Sequence, residues 1–200
     1  LSIPMEYAEG GSLADKIAAQ KVKFDEDIVV GWFVQIISAL QAMHEQNIVH
    51  RDLKAANVFL TAFNMIKVGD FGISKVLAGE ADLATTLAGT PYYLAPEIIA
   101  GQPYAFKADL WALGVLLYEL LALRRPFDAE NLPALALRIH KAEFAPLPAV
   151  FSTEIREVAA SLLRTEPEER PSLGELEAHP LCAMQRRKLQ DAIQRLAVGE

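Results

Sequence analysis

Cysteine is nearly missing from this chain of 200 residues: Cys182 stands alone. No internal disulfide can form, and without a second thiol or matched histidines there is no zinc pattern. Long apolar runs are missing too. The stretch from Val115 to Leu123 is short and is broken by Tyr118 and Glu119, well below the length of a bilayer span, so no membrane partner is expected. Basic tracts are also lacking. The 19 Lys and Arg are scattered among 26 Asp and Glu, and the formal charge of -7 gives no footing for nucleic acid or an anionic lipid surface. Leu1 to Tyr7 has neither the basic start nor the long apolar core of a secretory signal. An intracellular, cytoplasmic location is the expectation. What the chain has in quantity is apolar side chains, 52% of residues, enough to bury one substantial core and therefore to fold as one compact unit.

The pattern along the chain predicts a mainly helical α+β protein. Leu1 to Tyr7 reads as a short strand ended by Glu9-Gly10-Gly11. Ser12 with Asp15 starts a short helix, and Asp25-Glu26-Asp27 opens a longer one. In that helix Ile28, Trp32, Phe33, Ile36, Leu40 and Met43 recur at three- and four-residue steps, a core-facing stripe. His44, near its end, is assigned to dipole contact or exposure. Val58-Phe59-Leu60 and Met65-Ile66-Lys67-Val68 predict paired strands around Thr61 to Asn64. Further helices are expected over about Lys107 to Leu123, Leu132 to His140, Thr153 to Leu163 and Ser172 to Leu176. Met184 to Val198 is a charged, helix-compatible tail with Leu189, Ile193 and Leu196 on one face, which either packs on the domain or leads to a partner. His140, His179 and Cys182 are given structural roles.

The chemistry concentrates in His50-Arg51-Asp52-Leu53-Lys54-Ala55-Ala56-Asn57, followed by Asp70-Phe71-Gly72. A carboxylate can orient a hydroxyl and take its proton. A second carboxylate and an amide carbonyl are the hard oxygen ligands that magnesium prefers. Taken alone, Asp-Phe-Gly is an ordinary turn and His-Arg-Asp a surface ion pair. Order and spacing change that reading. Downstream stand Gly89-Thr90-Pro91-Tyr92-Tyr93-Leu94-Ala95-Pro96-Glu97 and Asp109-Leu110-Trp111-Ala112-Leu113-Gly114.

Together these segments resemble the eukaryotic protein kinases, with the catalytic loop, metal-binding loop, Ala-Pro-Glu element and following core helix in order. Asn64 to Ile73 and Gly89 to Leu94 look most like the NIMA-related (Nek) kinases. The resemblance implies the large, C-terminal lobe of the domain, with a short hinge strand and small β-hairpins. It also implies ATP and Mg2+ as cofactors and a protein substrate with a Ser or Thr acceptor. Asp52 would be the catalytic base, Lys54 would neutralise the migrating phosphate, and Asn57 and Asp70 would hold the metal. Met5, as gatekeeper, and the backbones of Glu6 and Ala8 would meet adenine, with Phe59 as the floor beneath it. Lys54 and Thr90, which would bridge Asp52 and Lys54, mark the serine/threonine type. Thr86, four residues before Thr90, is the expected regulatory phosphosite, with Thr85 as competitor and with Arg51 and Lys75 as its cationic partners. Arg170 would pair with Glu97.

The glycine-rich loop and strand lysine of this family lie upstream of the hinge, and no G-x-G-x-x-G precedes the hinge here; Gly10-Gly11 follows it and cannot substitute. Residues 1–183 are therefore expected to be a partial kinase domain without its small lobe, and residues 184–200 a tail. Two functions fit: a fragment of an ATP-dependent serine/threonine kinase, inactive or weakly active in isolation, or a catalytically inactive kinase-derived binding or scaffold module. The intact Asp52, Asn57 and Asp70 favour the first. Ser12 and Ala56 stand where arginine-selecting kinases carry acids, so tolerance of an apolar upstream residue is expected over a strong demand for arginine.

Overall fold

The computed structural model describes residues 8–69, 91–103 and 105–198. In chain order the elements are α1 (Leu13–Ala19), α2 (Glu26–Glu45), a 3-10 turn (Ala55–Asn57), β1 (Val58–Leu60) and β2 (Ile66–Val68). A second 3-10 turn (Pro91–Tyr93), α3 (Pro96–Ile99), α4 (Phe106–Ala122), α5 (Leu132–His140) and α6 (Thr153–Leu162) follow. A third 3-10 turn (Pro167–Glu169), α7 (Leu173–Ala178) and α8 (Pro180–Val198) complete the order. The described residues are thus mainly helical, with one two-stranded antiparallel sheet. Its register pairs Val58 with Val68, Phe59 with Lys67 and Leu60 with Ile66.

Helix starts follow the caps. Ser12 accepts from Asp15 N while the Asp15 carboxylate accepts from Ser12 N, and Ser172 and Glu175 repeat this reciprocal arrangement. Asp25, Asn131 and Ser152 cap α2, α5 and α6. Each cap satisfies an amide that the helix leaves without a partner. Between β1 and β2 the Thr61 hydroxyl accepts from Phe63 N and Met65 N, closing the hairpin, and Gln35 Oε1 on α2 accepts from Ile66 N at 2.9 Å.

The long helices form the frame. α4 is apolar on all sides and buried over most of its length, as a helix at the centre of a core must be. Gly114 lets α6 come close: a Cβ there would stand 2.7 Å from Leu162 Cβ. α2 packs against α4, α7, α8 and β2. It is also the described helix long and apolar enough to span a bilayer, which corrects the expectation of no such stretch. Its apolar residues are instead those of a core helix, since Val29 through Val34, Ile36, Ile37 and Leu40 are buried against its neighbours. Of the predicted stripe, Trp32, Phe33, Ile36 and Leu40 are buried as expected and Met43 is half-buried, while Ile28 at the helix start is 48% exposed and Val29 and Val30 face inward beside it. α8 is one continuous helix through residue 184, begun four residues earlier than predicted, and Leu189 packs on the core. Lys188 Nζ meets Asp27 at 2.8 Å, and Arg186 pairs with Glu177.

The expected strand at residues 1–7 lies outside the described residues. Beyond it, Gly10 N donates to Leu60 O and Leu60 N to Gly11 O, both at 2.8 Å, so this segment runs along the free edge of β1. A side chain at Gly10 would strike Leu60 O and Cβ at 2.7 Å, which is why glycine stands there.

Candidate active site

The loop between α2 and β1 carries the site, and one buried carboxylate shapes it. Asp109, in the first turns of α4, accepts from His50 N at 2.9 Å and Arg51 N at 3.1 Å, and its Oδ2 meets His44 Nε2 at 2.9 Å. Between these anchors Arg51 adopts φ +69°, a left-handed conformation that costs a non-glycine residue about 1–2 kcal/mol. Bonds to two successive amides hold it there. His44 is therefore not merely a dipole partner or exposed residue: it is half-buried against Asp109 and the Phe106 ring, 4.6 Å away between centroids.

His50 is fully buried and its Nδ1 accepts from Asp52 N at 3.3 Å. Burial lowers its pKa, opposed by the Asp109 and Asp52 carboxylates. A neutral ring with an unprotonated Nδ1 matches that acceptor role.

Downstream, three side chains converge. Lys54 Nζ lies 2.8 Å from Asp52 Oδ2, and Asn57 Nδ2 donates to Asp52 Oδ2 at 3.0 Å and to Asp52 O at 2.8 Å. The 3-10 turn Ala55–Asn57, with Asn57 N donating to Lys54 O, folds the chain back to permit this. With its amide nitrogen so committed, Asn57 offers the carbonyl oxygen, the donor atom a hard cation takes. Gly69 N donates to Asn57 O at 2.9 Å, and Phe59 Cε2 lies 3.1 Å from where a Cβ on Gly69 would stand, so the half-buried Phe59 ring closes over that residue. Ala8 O accepts from Gly11 N at 3.1 Å, which places Ala8 at the turn before the Gly10 to Leu60 pairing. Met5, Glu6, Asp70, Lys75, Thr85, Thr86 and Thr90 lie outside the described residues.

A tie that sequence reasoning missed joins this loop to Pro91–Tyr93. The Tyr93 hydroxyl accepts from Ala55 N at 3.2 Å and donates to the Glu119 carboxylate on α4. Burial raises the pKa of both groups. The sequence signal was present in Asp109 and Glu119, two acids on an otherwise apolar helix that need partners once buried. Farther on, Glu97 and Arg170 form the predicted pair, bidentate at 2.6 and 2.7 Å. Arg170 also donates to the carbonyls of Arg164, Lys107 and Thr165 and stands 5.1 Å from the Trp111 ring centroid.

A family model described as protein kinase domain matches residues 1–182. The chain belongs to the protein kinase family. It is 48% identical over 181 residues to serine/threonine-protein kinase Nek4 of Mus musculus, covering 90% of this chain and 23% of that protein. Against Nek8 of Danio rerio the identity is 48% over 184 residues, 91% of this chain and 26% of the relative. For Nek9 of Xenopus laevis it is 42% over 199 residues, 98% and 21%. These similarities agree with the NIMA-related resemblance carried by Asn64 to Ile73 and Gly89 to Leu94. The chain spans about a quarter of the length of these curated relatives.

Proposed function

We propose that these residues form the hinge and large lobe of a serine/threonine protein kinase, which transfers the γ-phosphoryl group of ATP to a protein hydroxyl. The observation that carries the proposal is the convergence of Lys54 and Asn57 on Asp52 Oδ2. A carboxylate so held can orient an incoming Ser or Thr hydroxyl and accept its proton. Lys54, partly exposed beside it, adds the cation that a migrating phosphoryl group needs.

The donor set fits magnesium, with Asn57 contributing its carbonyl oxygen and Asp70 a carboxylate. Asn57 and Asp70 would hold the ion, which when bound would supply positive charge to offset that of the phosphates. Met5, Glu6, Ala8 and Phe59 would hold the adenine, and Thr90 would bridge Asp52 and Lys54. Arg51 supports a regulatory reading of Thr86. Its Nε is buried and has no hydrogen-bond partner among the described residues, and a phosphate on Thr86 supplies an acceptor for it, with Lys75 as a second cation.

The test is acceptor choice by the full-length protein with radiolabelled ATP and Mg2+ on matched peptides carrying Ser, Thr or Tyr. Label on Ser and Thr with little on Tyr is expected. Preferential label on Tyr contradicts the acceptor assignment, and absence of transfer to any peptide supports the scaffold reading instead.

A further inference from the structure

Beside the catalytic loop, at the C-terminal end of α4, the chain walls a cavity of about 450 Å3. Glu119 lines it and also takes the Tyr93 hydroxyl, which in turn accepts from Ala55 N. The cavity wall is therefore two hydrogen bonds from the loop that carries Asp52. Arg125, also on its wall, reaches over the Tyr92 ring.

The charges on the wall are unequally committed. Glu143 has Lys141 at 3.7 Å, and Glu119 has the Tyr93 hydroxyl with Arg125 Nε at 3.9 Å. Arg125 itself lies over the Tyr92 ring, 3.9 Å from its centroid, and shields Glu119 from an incoming cation. Arg124 rests against the Tyr118 hydroxyl, whose hydrogen goes to Ala145 O at 3.0 Å. Arg138 Nη1 donates to the Asp128 backbone carbonyl at 2.7 Å. Among the described residues neither Arg124 nor Arg138 has a carboxylate ion pair, although Asp128 also stands on the wall. Two guanidinium groups with donors to spare suit a carboxylate or phosphate, which they can grip bidentately.

We propose that this cavity is a substrate subsite in which Arg124 and Arg138 receive an acidic or phosphorylated side chain flanking the acceptor Ser or Thr. The subsite rests on the kinase reading above and sharpens it: selection is for an anion near the acceptor. Arg125 is the residue that denies Glu119 to basic substrates.

Binding tests the subsite without turnover. Fluorescence anisotropy on the full-length protein would use labelled Ser peptides with Glu, phosphoserine, Gln or Arg placed in turn at each flanking position. At one position Glu and phosphoserine should bind about tenfold tighter than Gln, the scale of one charge-assisted contact. Arg124→Ala with Arg138→Ala should erase that difference, and Arg124→Glu, an exposed change, should shift preference to the Arg peptide. Equal binding of Glu and Gln at every position, or tighter binding of Arg by the wild type, overturns the proposal. Inorganic phosphate that displaces the Gln peptide as well as the phosphopeptide would assign the arginines to a free anion and overturn it too. Phosphate transfer to the same peptides is scored separately. Its failure alongside anion-selective binding removes the kinase reading and leaves the subsite.

Discussion

Asp109 shows how much of the candidate site rests on a residue from another element. Its carboxylate holds His50 N and Arg51 N and meets His44, so the strained Arg51 and the Asp52 that follows are placed by a side chain on α4. The His50 ring beneath them is buried neutral, with its pKa lowered by desolvation and pulled back by Asp109 and Asp52. Because the folded pKa is depressed, the unfolded chain takes a proton that the folded chain refuses. Stability is full above the ordinary histidine value of about 6.5 and is lost as pH falls below it toward the depressed value, with a slope of at most about 1.4 kcal/mol per pH unit. Urea unfolding at pH 7.5 and 5.5 should show this loss, and His50→Gln should flatten it; an unchanged slope in the variant would assign the loss to other groups. The clustering of Asp52, Lys54 and Asn57 was legible in the sequence because the three stand in one short loop. Asp109 and the Tyr93 to Glu119 contact were not, since their partners lie 58 and 26 residues away and only the packing of α4 brings them together.

Elements were legible wherever a local signal set them. Ser12, Asp25, Asn131, Ser152 and Ser172 fix where helices begin, and the strand pair follows from alternating residues around a hydroxyl-closed turn. The buried face of α2 was legible at Trp32, Phe33, Ile36 and Leu40 but its width was not, because a helix packed on several sides also buries Val29, Val30, Val34 and Ile37, while Ile28 at its start is exposed. The start of α8 at Pro180 also escaped, since proline reads as a break yet suits the first helical turn. Glu97 on α3 and Arg170 after the third 3-10 turn illustrate how elements are fastened. Arg170 uses its guanidinium donors on Glu97 and three backbone carbonyls, 1% exposed. Arg170→Ala leaves a carboxylate and those carbonyls buried without partners, and should cost about 3–5 kcal/mol in denaturant midpoint experiments at unchanged m. A loss below about 1 kcal/mol, the scale of an exposed pair, would contradict the buried anchor.

Across the whole molecule, α4 is the reference against which the site is built. It holds the catalytic loop through Asp109, the segment before α3 through Glu119, and α6 through the gap left by Gly114. The β1–β2 hairpin, fastened to α2 by Gln35, fixes Asn57 at its entry. The described residues share one hydrophobic core, so the residues proposed as catalytic sit on a packed frame, as positioning of a reacting hydroxyl requires. In the function proposed above, Asp52 is the point where that frame meets chemistry. The most direct measurement is single-turnover transfer from ATP to a Ser peptide by the full-length protein and its Asp52→Asn variant, with ATP and peptide binding followed in parallel. Transfer should fall by about 10²–10⁴, the range of a positioned general base, while both affinities stay within a few fold. Equal transfer by the two proteins would contradict the role assigned to Asp52.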